Sequence, residues 1–324
     1  MSESNEWAIP AEAQPKHEDY AFDLEARLAS VVSLRSEIPD DAFTASILGT
    51  ERAGHGVVIG DGGLVLTVGY LITEAETVWL VSNQGTVAAA HVVGYDQASG
   101  IGLVQALGRL GVPALEFGSS SRAAVGDSVI IAGQGGRSHA IGASITGKRE
   151  FAGYWEYVLD QALFTAPAHP NWGGAACIGA DGKLLGIGSL LIQEGPEDSS
   201  DSSNLIVPID LLPPILDDLL KFGRAQRPPR PWLGMYTADT VDSVCVVGLA
   251  TDGPAHKAGI RVGDDVVQVA DGEVLDLADM LRKVWALGPA GIEIPLIVMR
   301  HGKRVEVRLQ SADRTAFLKQ APLH

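Results

Sequence analysis

Residues 54–72 read GHGVVIGDGGLVLTVGYLI. Two short apolar runs flank the Asp-Gly-Gly turn at 61–63, and such a turn between apolar runs is a strong signal for a β-hairpin. The pattern repeats further along the chain, with a second predicted turn, Asn-Gln-Gly, at 83–85. Many short strands joined by glycine-containing turns predict a β-sandwich or a β-barrel.

The size and charge of the chain limit its class. Its 324 residues suggest about two domains, and its formal net charge is −16. Nucleic acids and anionic membranes both attract positive surfaces, so this charge argues against either partner. No apolar run approaches the roughly 18 residues of a membrane helix, and the first 20 residues lack the regions of a signal peptide. We therefore expect a soluble cytoplasmic protein, or a periplasmic one if a leader has been trimmed.

The cysteines and glycine-rich segments indicate no cofactor. Cys177 and Cys245 lie in apolar, strand-like runs, which favours buried free thiols over a disulfide. No His/Cys cluster or carboxylate pair has the spacing of metal ligands. The GQGG run at 133–136 lacks the Lys-Ser/Thr of a phosphate-binding loop, so it is interpreted as a turn.

A basic, proline-rich linker, RAQRPPRP at 224–231, is the best domain boundary in the chain. Before it, we predict a flexible arm over residues 1–21 and a β-rich domain over 22–223. After it, we predict a smaller α+β domain over 232–312 and a tail over 313–324. The smaller domain contains one amphipathic helix, whose apolar face carries Leu277, Met280, Leu281, Val284 and Leu287.

Two further segments of the β-rich domain have distinctive compositions. EGPEDSSDSSN at 194–204 is acidic and rich in serine, which predicts an exposed loop. The apolar spacing after Pro213 predicts a short helix that ends near Gly223.

The stretch DGPAHKAGIRVGDDVVQVADGEVL, residues 252–275, is similar almost position by position to the PDZ domain of the HtrA (Deg) family. From about residue 22 to 312 the whole chain resembles that family. The resemblance implies a mostly β fold, a trypsin-like double six-stranded β-barrel followed by a PDZ domain of the α+β type.

Residues 231–235, PWLGM, resemble the carboxylate-binding loop of those PDZ domains. Backbone amides that converge at a turn bind a carboxylate without a charged side chain. The resemblance implies a peptide-binding set made of Trp232, Leu233, Gly234 and Met235, with the peptide lying as an extra strand beside the helix. The alternative is that this run is only the first strand of the domain. Arg230 would either assist with the carboxylate or stay solvated in the linker.

The catalytic residues of the family are replaced at all three matching positions. The histidine of its Thr-x-x-His pattern corresponds to Tyr70, which follows Thr67. The second aspartate of its Asp-x-x-x-Asp run corresponds to Gly100, which follows Asp96. The serine before Gly-Gly corresponds to Trp172, within HPNWGGAACIG at 169–179.

These replacements remove the chemistry of the catalytic triad. Tyrosine, with a pKa of about 10, is a poor base at neutral pH, and glycine has no carboxylate. Indole donates one hydrogen bond and offers no nucleophile. Loss of one triad member alone costs a factor of about 10⁴. The loop before Trp172 is also about two residues shorter than the family pattern, so the oxyanion-hole amides are not expected in place.

The same residues suggest what became of the cleft. We expect Tyr70 and Trp172 to pack together and fill it, since burying such a ring stabilises a fold by roughly 1.5–3 kcal/mol. The alternative is that Trp172 stays exposed as an anchor for a partner. The remaining candidates for a catalytic pair are Ser138 with His139, and His169, while Asp96 is expected to cap a turn.

The preferred interpretation is an HtrA-like pseudoprotease that binds peptides or protein C-termini in a scaffold, regulatory or chaperone-like role. The alternatives are an active serine endopeptidase with an unconventional site, and an inactive subunit that regulates an active HtrA relative. The resemblance also implies a homotrimer joined through aromatic residues near the start of the barrel, here Tyr20 and Phe22, which could equally be core residues.

Overall fold

The structure, a computed structural model, describes residues 7–193 and 202–319. Within this part, the chain forms two compact units. The second unit comprises Glu150–Asp160 and Arg227–Leu318, and the first comprises the rest of the described chain. None of the helices in these residues is long and apolar enough to cross a membrane.

The first unit begins with a six-stranded barrel. Its strands are β1 (Val31–Glu37), β2 (Glu51–Gly60), β3 (Leu64–Val68), β4 (Thr77–Val81), β5 (Val87–Asp96) and β6 (Ile101–Ala106). The barrel closes in the order β1-β2-β3-β6-β5-β4. The turn at 61–63 joins β2 to β3, and the turn at 83–85 lies between β4 and β5, as predicted. Closure pairs every strand on both sides, so the barrel leaves no open edge.

A second six-stranded barrel follows. Its strands are β7 (Ser128–Ala132), β8 (Ala140–Gly153), β9 (Tyr157–Ala166), β10 (Ala176–Gly179), β11 (Leu184–Gln193) and β12 (Ser202–Pro208). They close in the order β10-β11-β12-β9-β8-β7, which confirms the predicted double barrel. The core holds Ile131, Leu163 and Ile206 together with the free thiol of Cys177.

The helices of the first unit are short: α1 (Leu24–Leu28), α2 (Ala45–Leu48), α3 (Gly69–Ile72) and α4 (Pro213–Phe222), with 3-10 turns at His17–Asp19, Gly136–His139 and Ile209–Leu211. As predicted, α4 starts at a proline and ends at Gly223, which adopts a left-handed conformation.

Residues 7–21 are the described part of the predicted flexible arm. In contrast to that prediction, they pack against the second barrel. Ile9 is 4% exposed and packs into the core of the second barrel. The amide of Ile9 donates to the carbonyl of Ser138 at 2.8 Å, and the carbonyl of Ala13 accepts from Gly142 at 2.9 Å. One apolar side chain and two backbone hydrogen bonds therefore hold this segment against the barrel. Residues 194–201 of the predicted serine-rich loop lie outside the described residues.

The second unit is an α+β domain. Its strands are β13 (Met235–Asp239), β14 (Val244–Leu249), β15 (Asp265–Val269), β16 (Gly272–Glu273), β17 (Glu293–Arg300) and β18 (Lys303–Gln310), and its helices are α5 (Pro254–Lys257) and α6 (Leu277–Ala286), with a 3-10 turn at Arg314–Phe317. The sheet runs β13-β14-β15-β17-β18, with β16 beside β15, so β13 is an edge strand.

Helix α6 covers this sheet with the face predicted from its spacing. Leu277, Met280, Leu281 and Val284 are buried in the core of the unit. The prediction for Leu287 was wrong, because the helix ends at Ala286 and the Leu287 side chain is 42% exposed. The prediction that both thiols are buried was also only half right, since Cys245 on β14 is half-buried.

Candidate functional site

The three residues matched to the catalytic triad by the sequence resemblance, Tyr70, Gly100 and Trp172, lie near the ends of strands in the first unit. Tyr70 is in α3, directly after β3, and Gly100 directly precedes β6. The amide of Gly69 donates to the carbonyl of Gly100 at 2.8 Å, which holds these two turns together. Trp172 lies in the loop before β10, and its side chain is near enough to the Tyr70 hydroxyl to lower the pKa of that group. The fold therefore brings these positions together, although a glycine, a tyrosine and a tryptophan occupy them.

The Tyr70 hydroxyl is held as a neutral donor. It donates to the carbonyl of Ser189 at 3.0 Å. Burial raises the pKa of Tyr70 above its ordinary value of 10.0, and the neighbouring Trp172 side chain offsets only part of that rise. A proton acceptor at neutral pH needs a pKa near that pH, so Tyr70 cannot act as a general base here.

Gly100 ends a tight turn. Its φ of +76° is in the left-handed region, which glycine tolerates without strain. The amides of Ser99 and Gly100 both donate to Asp96 at 2.9 Å, the first to its carboxylate and the second to its carbonyl. Asp96 therefore caps a turn, as its position in the sequence predicted.

The loop before β10 also lacks an oxyanion-hole donor. In trypsin-like enzymes the hole is formed by the amides of the nucleophile and of the residue two positions before it. With Trp172 at the nucleophile position, that earlier residue is Pro170, which has no N–H. The amide of Gly174 donates to the carbonyl of Gly188 at 2.8 Å. The sequence analysis did not consider Pro170, although it is the second residue of the HPNWGG motif.

Two nearby histidines, His55 and His169, make hydrogen bonds with backbone groups. His169 is fully buried; its Nδ1 accepts from the amide of Asn171 at 3.1 Å, and its Nε2 lies 3.0 Å from the carbonyl of His139. Burial lowers the pKa of His169, and it lowers that of His55 to about 4. Both rings are therefore neutral at pH 7, and backbone groups hold them.

Ser138 and His139 do make a contact. The Ser138 Oγ lies 3.0 Å from Nδ1 of His139, and the same nitrogen lies 3.3 Å from the carbonyl of Gly135. These are contacts between close neighbours in one 3-10 turn. In the described residues, no group of three or more His, Cys, Asp or Glu side chains could hold a metal ion.

The predicted carboxylate loop lies in the second unit, just before β13. Gly234 has a φ of +70°, and this left-handed turn directs three consecutive amides to one point. A carboxylate occupies that point, and it belongs to Glu156. Its oxygens accept from Leu233 at 3.0 Å, Gly234 at 2.8 Å and Met235 at 3.3 Å.

Two of the residues assigned to this loop play other parts. The backbone of Trp232 pairs with Ala312 in both directions, at 2.9 and 3.0 Å, so its amide does not face the carboxylate. The Trp232 ring packs on Phe317 with ring centroids 4.7 Å apart. The Arg230 guanidinium lies over the ring of Trp285 at 4.1 Å. The Trp232 ring also lies beside Gly234 in the loop.

Glu156 is a residue that sequence reasoning missed. It lies at the tip of the β8–β9 hairpin, 77 to 79 positions away from the amides that it contacts. Burial raises the pKa of Glu156 to about 7, although the three amides favour its charged form. No local pattern signals such a contact, because any acidic residue at a hairpin tip has the same appearance in a sequence.

Two protein-family models match this chain. Residues 54–187 match the trypsin-like peptidase domain, and residues 231–310 match the PDZ domain.

Curated relatives are serine endoproteases by name. The "probable periplasmic serine endoprotease DegP-like" of Brucella suis biovar 1 is 26% identical over 280 residues, which cover 80% of this chain and 52% of that protein. The "serine endoprotease DegS" of Escherichia coli K12 is 24% identical, covering 79% of this chain and 75% of that protein. The chain thus spans about half the length of the DegP-like relatives.

Solved structures share the fold. The "HtrA-type protease AlgW with decapeptide" has a TM-score of 0.53 and 18% identity, covering 93% of this chain and all of that one. The serine endoprotease from Yersinia pestis has a TM-score of 0.52 and 22% identity, covering 90% of this chain and 96% of that one.

Proposed function

We propose that this chain is a proteolytically inactive member of the HtrA (Deg) family, because a match to the trypsin-like peptidase domain is followed by a match to the PDZ domain and the relatives are Deg-type endoproteases by name. It binds peptides or protein C-termini through its PDZ domain, in a scaffold, regulatory or chaperone-like role. The periplasmic name of the DegP-like relatives favours that compartment over the cytoplasm, and fractionation of the native cells tests this point.

The observation that carries the proposal is the buried Tyr70 hydroxyl, which donates to a backbone carbonyl near Trp172 in a loop that also contains Pro170. A serine protease needs an attacking oxygen, a base to take its proton and amides to stabilise the oxyanion. Here Trp172 and Tyr70 stand at the positions of the nucleophile and the base, and neither side chain has the required property. At one of the two oxyanion-hole positions stands Pro170, whose nitrogen carries no hydrogen. Restoring any one of the three would leave the other two missing.

A hydrolysis assay on the full chain tests the inactivity. Fluorescent casein and a fluorophosphonate probe are incubated with the protein, with an active serine endoprotease as positive control. We expect neither turnover nor labelling. Turnover that disappears in Ser138→Ala would contradict the proposal and place the chemistry at the Ser138–His139 contact.

That outcome corresponds to the second candidate function, an active serine endopeptidase with an unconventional site. It is favoured by the 3.0 Å distance between Ser138 Oγ and His139 Nδ1 and by the names of the relatives. Against it, the carbonyl of Gly135 competes for the same ring nitrogen. A nucleophilic serine needs an unshared base, so we rank this function second.

Peptide binding is tested on the full chain with pooled fluorescent decapeptides. One pool has free C-terminal carboxylates, and its counterpart is C-terminally amidated. Binding of the first pool alone supports recognition of a C-terminus through the amides of Leu233, Gly234 and Met235. Equal binding of both pools would contradict it.

Assembly is the remaining part of the proposal. The rings of Tyr20 and Phe22 lie 5.1 Å apart, and both residues are half-buried. If a homotrimer is joined there, changing both residues to alanine should lower the molecular mass measured by light scattering. A chain that regulates an active HtrA relative would instead co-purify with that protein from the native cell.

A further inference from the structure

The PDZ carboxylate loop already holds a carboxylate from its own chain. We propose that the hairpin tip, residues 150–160, is an internal ligand of the PDZ groove, and that a peptide C-terminus binds only when this tip leaves. The inference rests on the proposed peptide binding and adds its regulation.

Glu156 uses the same backbone donors that an external peptide would need. A peptide C-terminus would need the amides of Leu233, Gly234 and Met235, and all three donate to Glu156. Each backbone amide supplies a single proton, so two carboxylates cannot both have these bonds. The two ligands therefore compete for one site.

The second support is the position of the tip along the edge strand. Peptides that bind PDZ domains add a strand to an exposed sheet edge. Strand β13 is such an edge, and the amide of Thr237 on it donates to the carbonyl of Tyr154 at 3.1 Å. Glu156 faces Met235 and Tyr154 faces Thr237, so two steps back along the hairpin match two steps forward along β13. The turn at 154–156 therefore runs antiparallel along β13, with one backbone hydrogen bond and one side-chain carboxylate contact to it.

The third support comes from helix α6, which forms the other wall of a PDZ groove. Arg282 on this helix forms ion pairs with Glu150 and Asp160, which lie on the two legs of the hairpin, the second at 2.5 Å. Ala152 and Val158 pack into the hydrophobic core of the unit. The tip therefore contacts both the strand and the helix that would enclose a peptide.

The backbone of the tip is shaped for this contact. Glu156 has a φ of +63°, which is uncommon for a residue with a side chain. Such conformations persist where the surroundings hold them and often lie at binding sites. The T-shaped contact of the Tyr154 and Tyr236 rings, with centroids 6.0 Å apart, fixes the neighbouring turn.

The consequence is a reduced apparent affinity for external peptides. A peptide binds only the fraction of molecules whose groove is open, so its apparent Kd rises in inverse proportion to that fraction. If the tip is docked in nine molecules of ten, freeing the groove tightens peptide binding by about tenfold.

The test uses the full chain with Glu156→Ala, which removes the internal carboxylate, and Glu156→Gln, which keeps an uncharged acceptor. Glu306→Ala is the matched control, because it removes an exposed glutamate from the same unit. The first measurement is hydrogen exchange at the amides of residues 233–235, and the second is binding of the free-carboxylate and amidated decapeptide pools. Thermal unfolding confirms that each variant is folded.

We expect Glu156→Ala to lose amide protection at residues 233–235 and to bind the free-carboxylate pool about tenfold more tightly. Glu156→Gln should fall between it and the native chain, and Glu306→Ala should match the native chain. Unchanged protection in Glu156→Ala overturns the internal ligand.

The two proposals fail in different ways. Lost protection with equal peptide affinity in native and Glu156→Ala proteins overturns the competition, while peptide binding stands. Lost protection without binding of any pool overturns the proposed peptide binding, and the competition with it.

Discussion

The amide of Gly234 donates to the carboxylate of Glu156 at 2.8 Å, the shortest of the hydrogen bonds between this side chain and the PDZ loop. PDZ domains use this loop to bind the C-terminus of another chain. Here the loop binds a side chain of the same chain. The strand edge and the helix of the groove are engaged by the same hairpin. The amide turn of the PDZ-like unit is therefore occupied by a carboxylate of the same chain.

Peptide binding should depend on pH through Glu156. The pKa of the docked carboxyl is about 7, whereas a released glutamate has a pKa of about 4.3. The docked form therefore binds more protons between these two values, and rising pH through this window favours release. Arg314 and Tyr236 lie near the same carboxylate.

We expect decapeptides with free carboxylates to bind the native chain more tightly at pH 8 than at pH 5.5, as measured by fluorescence anisotropy. Glu156→Gln cannot titrate and should lose this difference. A native chain with the same affinity at both pH values would contradict the assignment of the dependence to Glu156.

Trp172→Ala should destabilise the first unit. The ring is half-buried and lies near Tyr70, so its removal should cost about 2 kcal/mol and lower Tm by about 4–8 °C. Calorimetry of the full chain measures this change. Trp79→Ala is the control, because the Trp79 side chain is 46% exposed. Equal Tm values for the two variants would favour the alternative of an exposed partner anchor.

Restoring the triad alone should not restore activity. The triple variant Tyr70→His, Gly100→Asp, Trp172→Ser still lacks the amide at Pro170, and its aspartate must adopt the left-handed φ of +76°. We expect no casein turnover and no fluorophosphonate labelling. Adding Pro170→Gly should raise labelling above that of the triple variant. An active triple variant would show that Pro170 does not matter.

The two cysteines should differ in reactivity. Burial raises the pKa of Cys177 to about 12, so it has almost no thiolate at neutral pH, and the thiolate is the reactive form. Cys245 is half-buried, and burial and Asp265 also raise its pKa. A thiol reagent at pH 8 should therefore modify Cys245 slowly and Cys177 only after unfolding. Mass spectrometry of Cys245→Ser provides the control, and rapid labelling of that variant would contradict the buried position of Cys177.

Local sequence patterns predicted much of the fold. The turn at 61–63, the helix after Pro213 and the buried face of α6 each follow from a few neighbouring residues, and the structure has all three. The prediction that Leu287 lies on the buried face was wrong because the helix ends one residue earlier, at Ala286. The packing of Ile9 was missed because a polar, proline-containing segment does not reveal that one apolar side chain reaches a core.

By itself, the sequence determined which chemical groups are present: a barrel without a nucleophile at 172 or a base at 70, and a glycine turn of the PDZ type at 234. Only the tertiary structure decided what those groups contact. Tyr70 meets Trp172, and Glu156 fills the amide turn, because the strands bring together residues that lie 77 or more positions apart. Hydrogen bonds at that separation depend on how barrels and sheets close, which no short stretch of sequence encodes.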